Sequence, residues 1–200
     1  MSCLDEFDQH WDYDDPSKWS EQYPAAKGLC QSPINIKFGE TVKQHYPPFT
    51  FSPKYKDRLL FTLRNTSKKL TVTLAKKQHN KNQTDLWVTG GGLNGTFHFV
   101  NFHLHWGNND RHGSEHEFNG YRFPAEAHFV YKNFENQKFF RYMGSLTAPP
   151  CTEGIVWSVF FNIVPISEHS LNLLRNNVVR TAFRPVQPIN HRIIYRNFDF

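Results

Sequence analysis

The chain has 200 residues with 19 Phe, 8 Tyr and 5 Trp, and 20% of it is charged. That composition supports a packed core and excludes a disordered chain. The net charge of +5 is scattered: Lys76, Lys77 and Lys81 form one stretch, and Arg175, Arg180, Arg184, Arg192 and Arg196 lie near the end. With no nucleic-acid motif beside them, these cations read as a solvated face, and no nucleic-acid partner is expected.

The length suits one domain over residues 1–200, expected to be a monomer. Met1 to Glu6 have neither a basic nor an apolar run, and no stretch is long enough to span a bilayer. The expectation is a cytoplasmic protein, or a secreted one if the true start lies upstream. In that second case the sequons at Asn65, Asn82 and Asn94 gain meaning. Cys3, Cys30 and Cys151 are too few for a disulfide scaffold and lack zinc-finger spacing.

The opening, through Pro33, is rich in Trp, Asp, Pro and Gly and reads as loop with a turn of helix. Leu60–Leu63 and Leu70–Leu74 alternate with period two and read as strands. Leu86–Val88 leads into a turn at Gly90-Gly91-Gly92. Thr96–Trp106, Phe123–Tyr131 and Ile155–Val164 are strand-like in turn. Ser167–Asn176 is the helical candidate, with Ser167 as N-cap and Leu171 and Leu174 at helical spacing. Arg192–Tyr195 is the last strand candidate. Many strands and little helix predict a mainly β domain.

Within Phe102-His103-Leu104-His105-Trp106, residues two apart share a face of a strand. His103 and His105 therefore project together, opposite the apolar Phe102, Leu104 and Trp106. A third imidazole from a neighbouring strand would complete a metal site, and His128 on the Phe123–Tyr131 run is the candidate. Three neutral imidazoles leave one tetrahedral position open, as in catalytic rather than structural zinc sites. A bare His-x-His pair is a weak signal, since histidine serves many roles. The orienting groups strengthen it: Asn101 precedes His103 by two and Glu126 precedes His128 by two, each on its histidine's face.

The runs Phe102-His103-Leu104-His105-Trp106-Gly107, Gly113-Ser114-Glu115-His116 and Pro124-Ala125-Glu126-Ala127-His128 resemble the signature of the α-carbonic anhydrases. Gln31-Ser32-Pro33-Ile34-Asn35-Ile36, Gly90 to Thr96, Gly144-Ser145-Leu146-Thr147-Ala148-Pro149-Pro150 and Arg184-Pro185-Val186-Gln187-Pro188 match further segments, as do Trp11, Tyr13 and Trp19. The resemblance implies a large twisted, mostly antiparallel sheet with a few short helices. It implies Zn2+ on His103, His105 and His128, and a lyase that reversibly hydrates carbon dioxide to bicarbonate and a proton. By the same resemblance Thr147 would orient the attacking oxygen and pass its own proton to Glu115, and Val130, Leu146, Ile155 and Trp157 would form the wall for carbon dioxide. Inhibition by sulfonamides follows from the family.

Four features depart from the family pattern. Lys68 stands where fast members carry a proton-shuttling histidine. A free lysine has a pKa of about 10.4 against about 6.5 for histidine, so Lys68 is already protonated at neutral pH and a slow enzyme is expected. Asn101 stands where the family has Gln; being one methylene shorter, it predicts a long or water-bridged bond to His103. Only Phe129 to Met143 separate His128 from Gly144, where the family has a long segment with a central strand. The His128 and Ile155 strands must then pair directly, or backbone groups at the centre go unsatisfied. Finally, the resemblance puts Cys30 and Cys151 near a disulfide of extracellular members, with Cys30 offset by a few residues. Beside the active enzyme stand two other readings: a catalytically silent binding module, and a chain that the shortened segment prevents from folding.

Overall fold

In the computed structural model, residues 11–65, 68–75, 86–130 and 138–200 are described. The first strands in chain order are β1 (Asn35–Ile36), β2 (Val42–Lys43), β3 (Phe49–Phe51), β4 (Phe61–Asn65) and β5 (Leu70–Leu74). Next come β6 (Trp87–Gly90), β7 (Phe97–His98), β8 (Asn101–Trp106), β9 (Glu117–Phe118) and β10 (Ala125–Val130). β11 (Phe139–Ser145), β12 (Glu153–Phe160) and β13 (Tyr195–Arg196) complete the set. A single turn, α1 (Trp19–Gln22), and the longer α2 (Glu168–Asn177) are the α-helices. The protein is mainly β, as its alternating runs require.

The strands form sheets in the orders β10-β8-β5-β4, β12-β11-β13-β2 and β3-β6-β7, with a β1-β9 pair beside them. Among the described residues every pairing is antiparallel except β1–β9 and β13–β2. The expected Thr96–Trp106 strand is broken after His98. The Phe99 N–H turns to the Leu86 carbonyl at 2.8 Å and the Val100 N–H to the Val130 carbonyl at 3.2 Å, handing the chain from one sheet to another. The Ile155 strand starts two residues early and ends at Phe160, and the Phe123 strand is narrowed to Ala125–Val130; Tyr131 lies outside the described residues. The expected Arg192–Tyr195 strand is the two residues of β13, and α2 sits one residue beyond its expected start.

β11 escapes the period-two reading. Six of its seven residues, including Arg141, are buried, so nothing alternates along it; a strand covered on both faces does not show the amphipathic signal.

Two cores flank this framework. In one, Tyr13, Trp19 and Tyr23 from the opening segment pack with Trp106, Leu174 of α2 and Ala182. Trp11, Tyr13 and Trp19 meet edge-on at 5.4–5.6 Å between centroids, a favoured aromatic geometry. The other core gathers Ile34, Ile36, Phe140, Tyr142, Ile194 and Phe198.

The segment after α2 straps the first core to the back of β8. Val179 accepts the Trp106 indole N–H at 2.7 Å, and the Ala182 N–H donates to the Trp106 carbonyl at 2.8 Å. The loop leaving β8 turns so tightly that a Cβ on Gly107 would lie 1.3 Å from the His112 carbonyl oxygen, a close approach that only glycine permits.

β10 and β12 do not pair with each other. Among the described residues each has a partner on one side only, β8 and β11 respectively. The direct pairing that was one expected alternative is therefore not formed among the described residues.

Candidate metal centre

His103 and His128 face one another in the β8–β10 register, and His105 follows two residues along on the same face. Ring centroids are 5.0 Å apart for His103–His105, 5.2 Å for His103–His128 and 4.4 Å for His105–His128. One nitrogen from each can be chosen so that all three lie within 4.8 Å of one another.

The remaining nitrogens are anchored from behind. His103 Nδ1–H donates to the Asn101 side-chain oxygen at 3.1 Å, His105 Nδ1–H to the Ala182 carbonyl at 2.8 Å, and His128 Nε2–H to Glu126 Oε1 at 2.6 Å. The expected long or bridged Asn101 contact is a direct bond, since residues two apart on the strand already bring the short amide into reach. These anchors leave His103 Nε2, His105 Nε2 and His128 Nδ1 facing the centre. Among the described residues His105 Nε2 is buried without a hydrogen-bond partner, an arrangement that costs free energy unless a ligand completes it. Burial, then the charges of His128 and Lys69, push His103 down to about 3; burial and the two neighbouring imidazoles hold His105 well below the usual range. Neutral imidazoles are the form that binds a metal.

Glu126 is the hub behind them. Its Oε1 accepts from both His128 and His116 Nδ1–H, the latter at 2.7 Å. Its Oε2 accepts the backbone N–H groups of Glu115 and His116 at 2.9 and 2.7 Å. Burial alone would raise this carboxyl, but the charge and hydrogen bonds of His116, joined by those of His128, hold it well below its usual range. The chain continues away from the metal face: His116 Nε2 and the Tyr142 hydroxyl are hydrogen-bonded at 2.7 Å, as are that hydroxyl and Ser32 Oγ at 2.7 Å. The sequence reading gave neither His116 nor Tyr142 a role. The Gly113-Ser114-Glu115-His116 run contained the first, while the second lay on the unrecognised strand.

Glu115 is fully buried, and Thr147 is 5% exposed. Glu115 Oε1 accepts the Arg184 backbone N–H at 2.8 Å and lies 3.2 Å from His105 Nδ1. Burial and then the Glu126 charge push the Glu115 carboxyl well above its usual range, against the Thr147 hydroxyl beside it and Arg184. Both relay residues of the sequence reading are thus buried, with Glu115 beside the ligand set, and among the described residues Glu115 Oε2 has no hydrogen-bond partner.

The four wall residues differ. Trp157 packs on the His128 ring at 4.8 Å between centroids, with its indole N–H donated to the Ser145 carbonyl at 2.9 Å. Ile155 lies on the same side of β12, two residues earlier. Val130 shares the metal face of β10, but it and Leu146 are each 41% exposed, because no described strand pairs beyond β10. The Lys68 ammonium sits 5.0 Å over the Trp11 ring, a cation–π contact that ties it to the opening segment. Cys30 and Cys151 are both free thiols, the second buried.

Known proteins resemble this chain over most of its length. The family model described as eukaryotic-type carbonic anhydrase matches residues 14–137 and again 132–198. The match divides at the short connection after β10. Carbonic anhydrase 6 of Mus musculus is 28% identical, covering 91% of this chain and 78% of the mouse protein. Carbonic anhydrases 12 and 3 of Homo sapiens are 26% and 25% identical, covering 94% and 95% of this chain, and 73% and 99% of their own lengths. These alignments run over 255, 271 and 264 positions, more than the 200 residues available here, so each relative carries residues without a counterpart in this chain. The convergent histidines, the two-part match and the longer alignments agree: this chain belongs to the eukaryotic-type carbonic anhydrase family, with an internal segment missing.

Proposed function

We propose that the chain is a zinc-dependent lyase interconverting carbon dioxide with bicarbonate and a proton, and that proton transfer limits it to a slow rate. The family's general chemistry is carbon dioxide hydration, and the observation that carries the reading here is the buried, unpartnered His105 Nε2 beside two more free imidazole nitrogens. Three nitrogen donors with their other ring nitrogens anchored suit zinc with one position left open. Zinc supplies a Lewis acid that makes water nucleophilic near neutral pH.

The protein's own residues then act on the reacting groups. The Glu115 carboxylate, favoured by the positive charge of a divalent ion on the imidazoles, accepts the Thr147 hydroxyl proton in a hydrogen bond. Thr147 oxygen is thereby left as an acceptor, which aims the lone pair of the attacking water at carbon dioxide, an orientation effect. Trp157 and Ile155 give the carbon dioxide an apolar support, and Val130 and Leu146 leave part of that wall open to water. Lys68, protonated and seated on Trp11, does not accept the product proton at neutral pH.

Stopped-flow carbon dioxide hydration tests the reading. Sulfonamide-sensitive activity that rises with added imidazole is expected. Lys68→His should raise the rate in weak buffer by about a hundredfold, the lower end of what a positioned acid–base group contributes. An unchanged rate in Lys68→His would remove the proton-transfer explanation. Absence of hydration in a folded, zinc-carrying sample would favour a carbonic-anhydrase-like binding module instead.

A further inference from the structure

The metal face of the β10-β8-β5-β4 sheet continues well past the histidines. In register, His128 lies opposite His103, His103 opposite Thr71, and Thr71 opposite Arg64. Directly opposed residues of an antiparallel pair share a face, so these four side chains form one row across four strands. Lys69 stands immediately before β5, two residues before Thr71. Thr62 and Thr73 oppose each other one step away in the other direction and belong to the row's face too.

This shelf is cationic and polar. The residues of β4 and β5, Phe61–Asn65 and Leu70–Leu74, include no carboxylate. Arg64 and Lys69 are within electrostatic reach of each other: after burial, the Arg64 charge is what lowers the Lys69 ammonium. Lys69 in turn is one of the charges acting on His103. Between the two cations and the metal ligand lies Thr71, whose Oγ1 is buried and has no hydrogen-bond partner among the described residues. A buried hydroxyl without a partner invites a ligand that bonds to it.

We propose that Arg64, Lys69 and Thr71 form an anion shelf beside the metal centre, and that its occupant is a small oxyanion, bicarbonate in the working protein. The inference rests on the carbon dioxide reading for the identity of that anion. The shelf itself rests on sheet register and charge. Thr71 donates its buried hydroxyl to an oxyanion oxygen, while the ammonium and guanidinium, both on exposed residues, supply the opposite charge. The shelf holds bicarbonate at the mouth of the centre, favouring its capture as a substrate and delaying its loss as a product.

The test is calorimetric titration of sodium bicarbonate into the zinc-loaded full chain, its zinc content measured separately by atomic emission, at low and at physiological ionic strength. Lys69→Gln is expected to weaken bicarbonate binding about threefold to tenfold, with Arg64→Gln/Lys69→Gln weaker still and less sensitive to salt. Thr71→Val should weaken it at both ionic strengths, because the hydroxyl bond is not screened as free charges are. Lys69→Arg keeps the charge and should bind within about twofold of the wild type. Binding unchanged in both Lys69→Gln and the double variant overturns the shelf, as does wild-type protein that binds no bicarbonate. A chain that takes up no zinc defeats the lyase reading alone; the same titration on that zinc-free protein then judges the shelf by the same criterion.

Discussion

His103 illustrates how a ligand is kept ready by its surroundings. Burial leads the causes that bring it down to about 3 in the folded zinc-free protein, whereas the unfolded chain holds it at the ordinary value of about 6.5. Between those values the unfolded state binds a proton that the folded state does not, so acidification through this window removes stability. Urea midpoints of zinc-free protein should fall from neutral pH toward pH 4 (about the middle of the carboxylate range), and His103→Gln should fall less steeply. Equal slopes would show that His103 is not the group responsible. Glu126 works at one remove, gripping His128 Nε2 at 2.6 Å while two backbone N–H groups grip its other oxygen. Glu126→Gln keeps the shape but loses the charge, and zinc affinity measured against a competing chelator should drop about 10–100-fold, as for other lost supporting groups. An affinity within about twofold of the wild type, well short of that range, would mean the imidazole needs no such partner.

At the scale of single elements, alternation was the readable signal and burial on both faces erased it. β5 read correctly because it has one polar side, and alternation within β8 put His103 and His105 on one face although the run expected from Thr96 breaks after His98. β11 carries Tyr142 and Arg141 into the interior and offered no pattern to find. Helix α2 was legible from its cap: Ser167 Oγ accepts the Ser170 N–H at 3.1 Å, and Leu171 and Leu174 are its buried residues. Ser167→Ala should therefore cost about 1 kcal/mol of unfolding free energy in urea titrations. Since α2 packs through Leu174 beside Trp106, the loss should appear in the global transition; a change confined to helix fraying would separate α2 from the core.

For the whole molecule, β10 and β12 do not pair with each other, and the curated relatives carry residues without a counterpart in this chain. Each of these strands has one side without a described partner, and Phe129, Val130, Met143 and Val156 remain partly exposed around those edges. Stability should follow the same map. Amides of β11, which is paired by β12 on one side and by β13 over Phe140 and Arg141 on the other, should exchange slowest in native-state hydrogen exchange. Those of β10 should exchange faster despite the centre it carries, because opening its edge disturbs fewer buried contacts. Equal protection across β10 and β11 would indicate that the two sheets open as one cooperative unit. Zinc should slow β10 and β8 selectively, since binding to the folded state alone stabilises what it crosslinks.

The sequence by itself determined the mainly β class, the helix at Ser167, the histidine trio and the family, because these rest on local period, capping chemistry and contiguous motifs. It also revealed that a segment was short. What it could not decide was how the chain copes with that shortening, whether by direct pairing of two strands or by leaving their edges apart, since a strand's partner is chosen by contacts distant along the chain. Tertiary structure alone brought Ala182 behind His105, Tyr142 to His116, and Arg64 into line with Thr71 and His103. Each of those contacts is a matter of sheet register and of a strap crossing a strand. A linear pattern of residue types records which face a side chain takes, but not what stands opposite it.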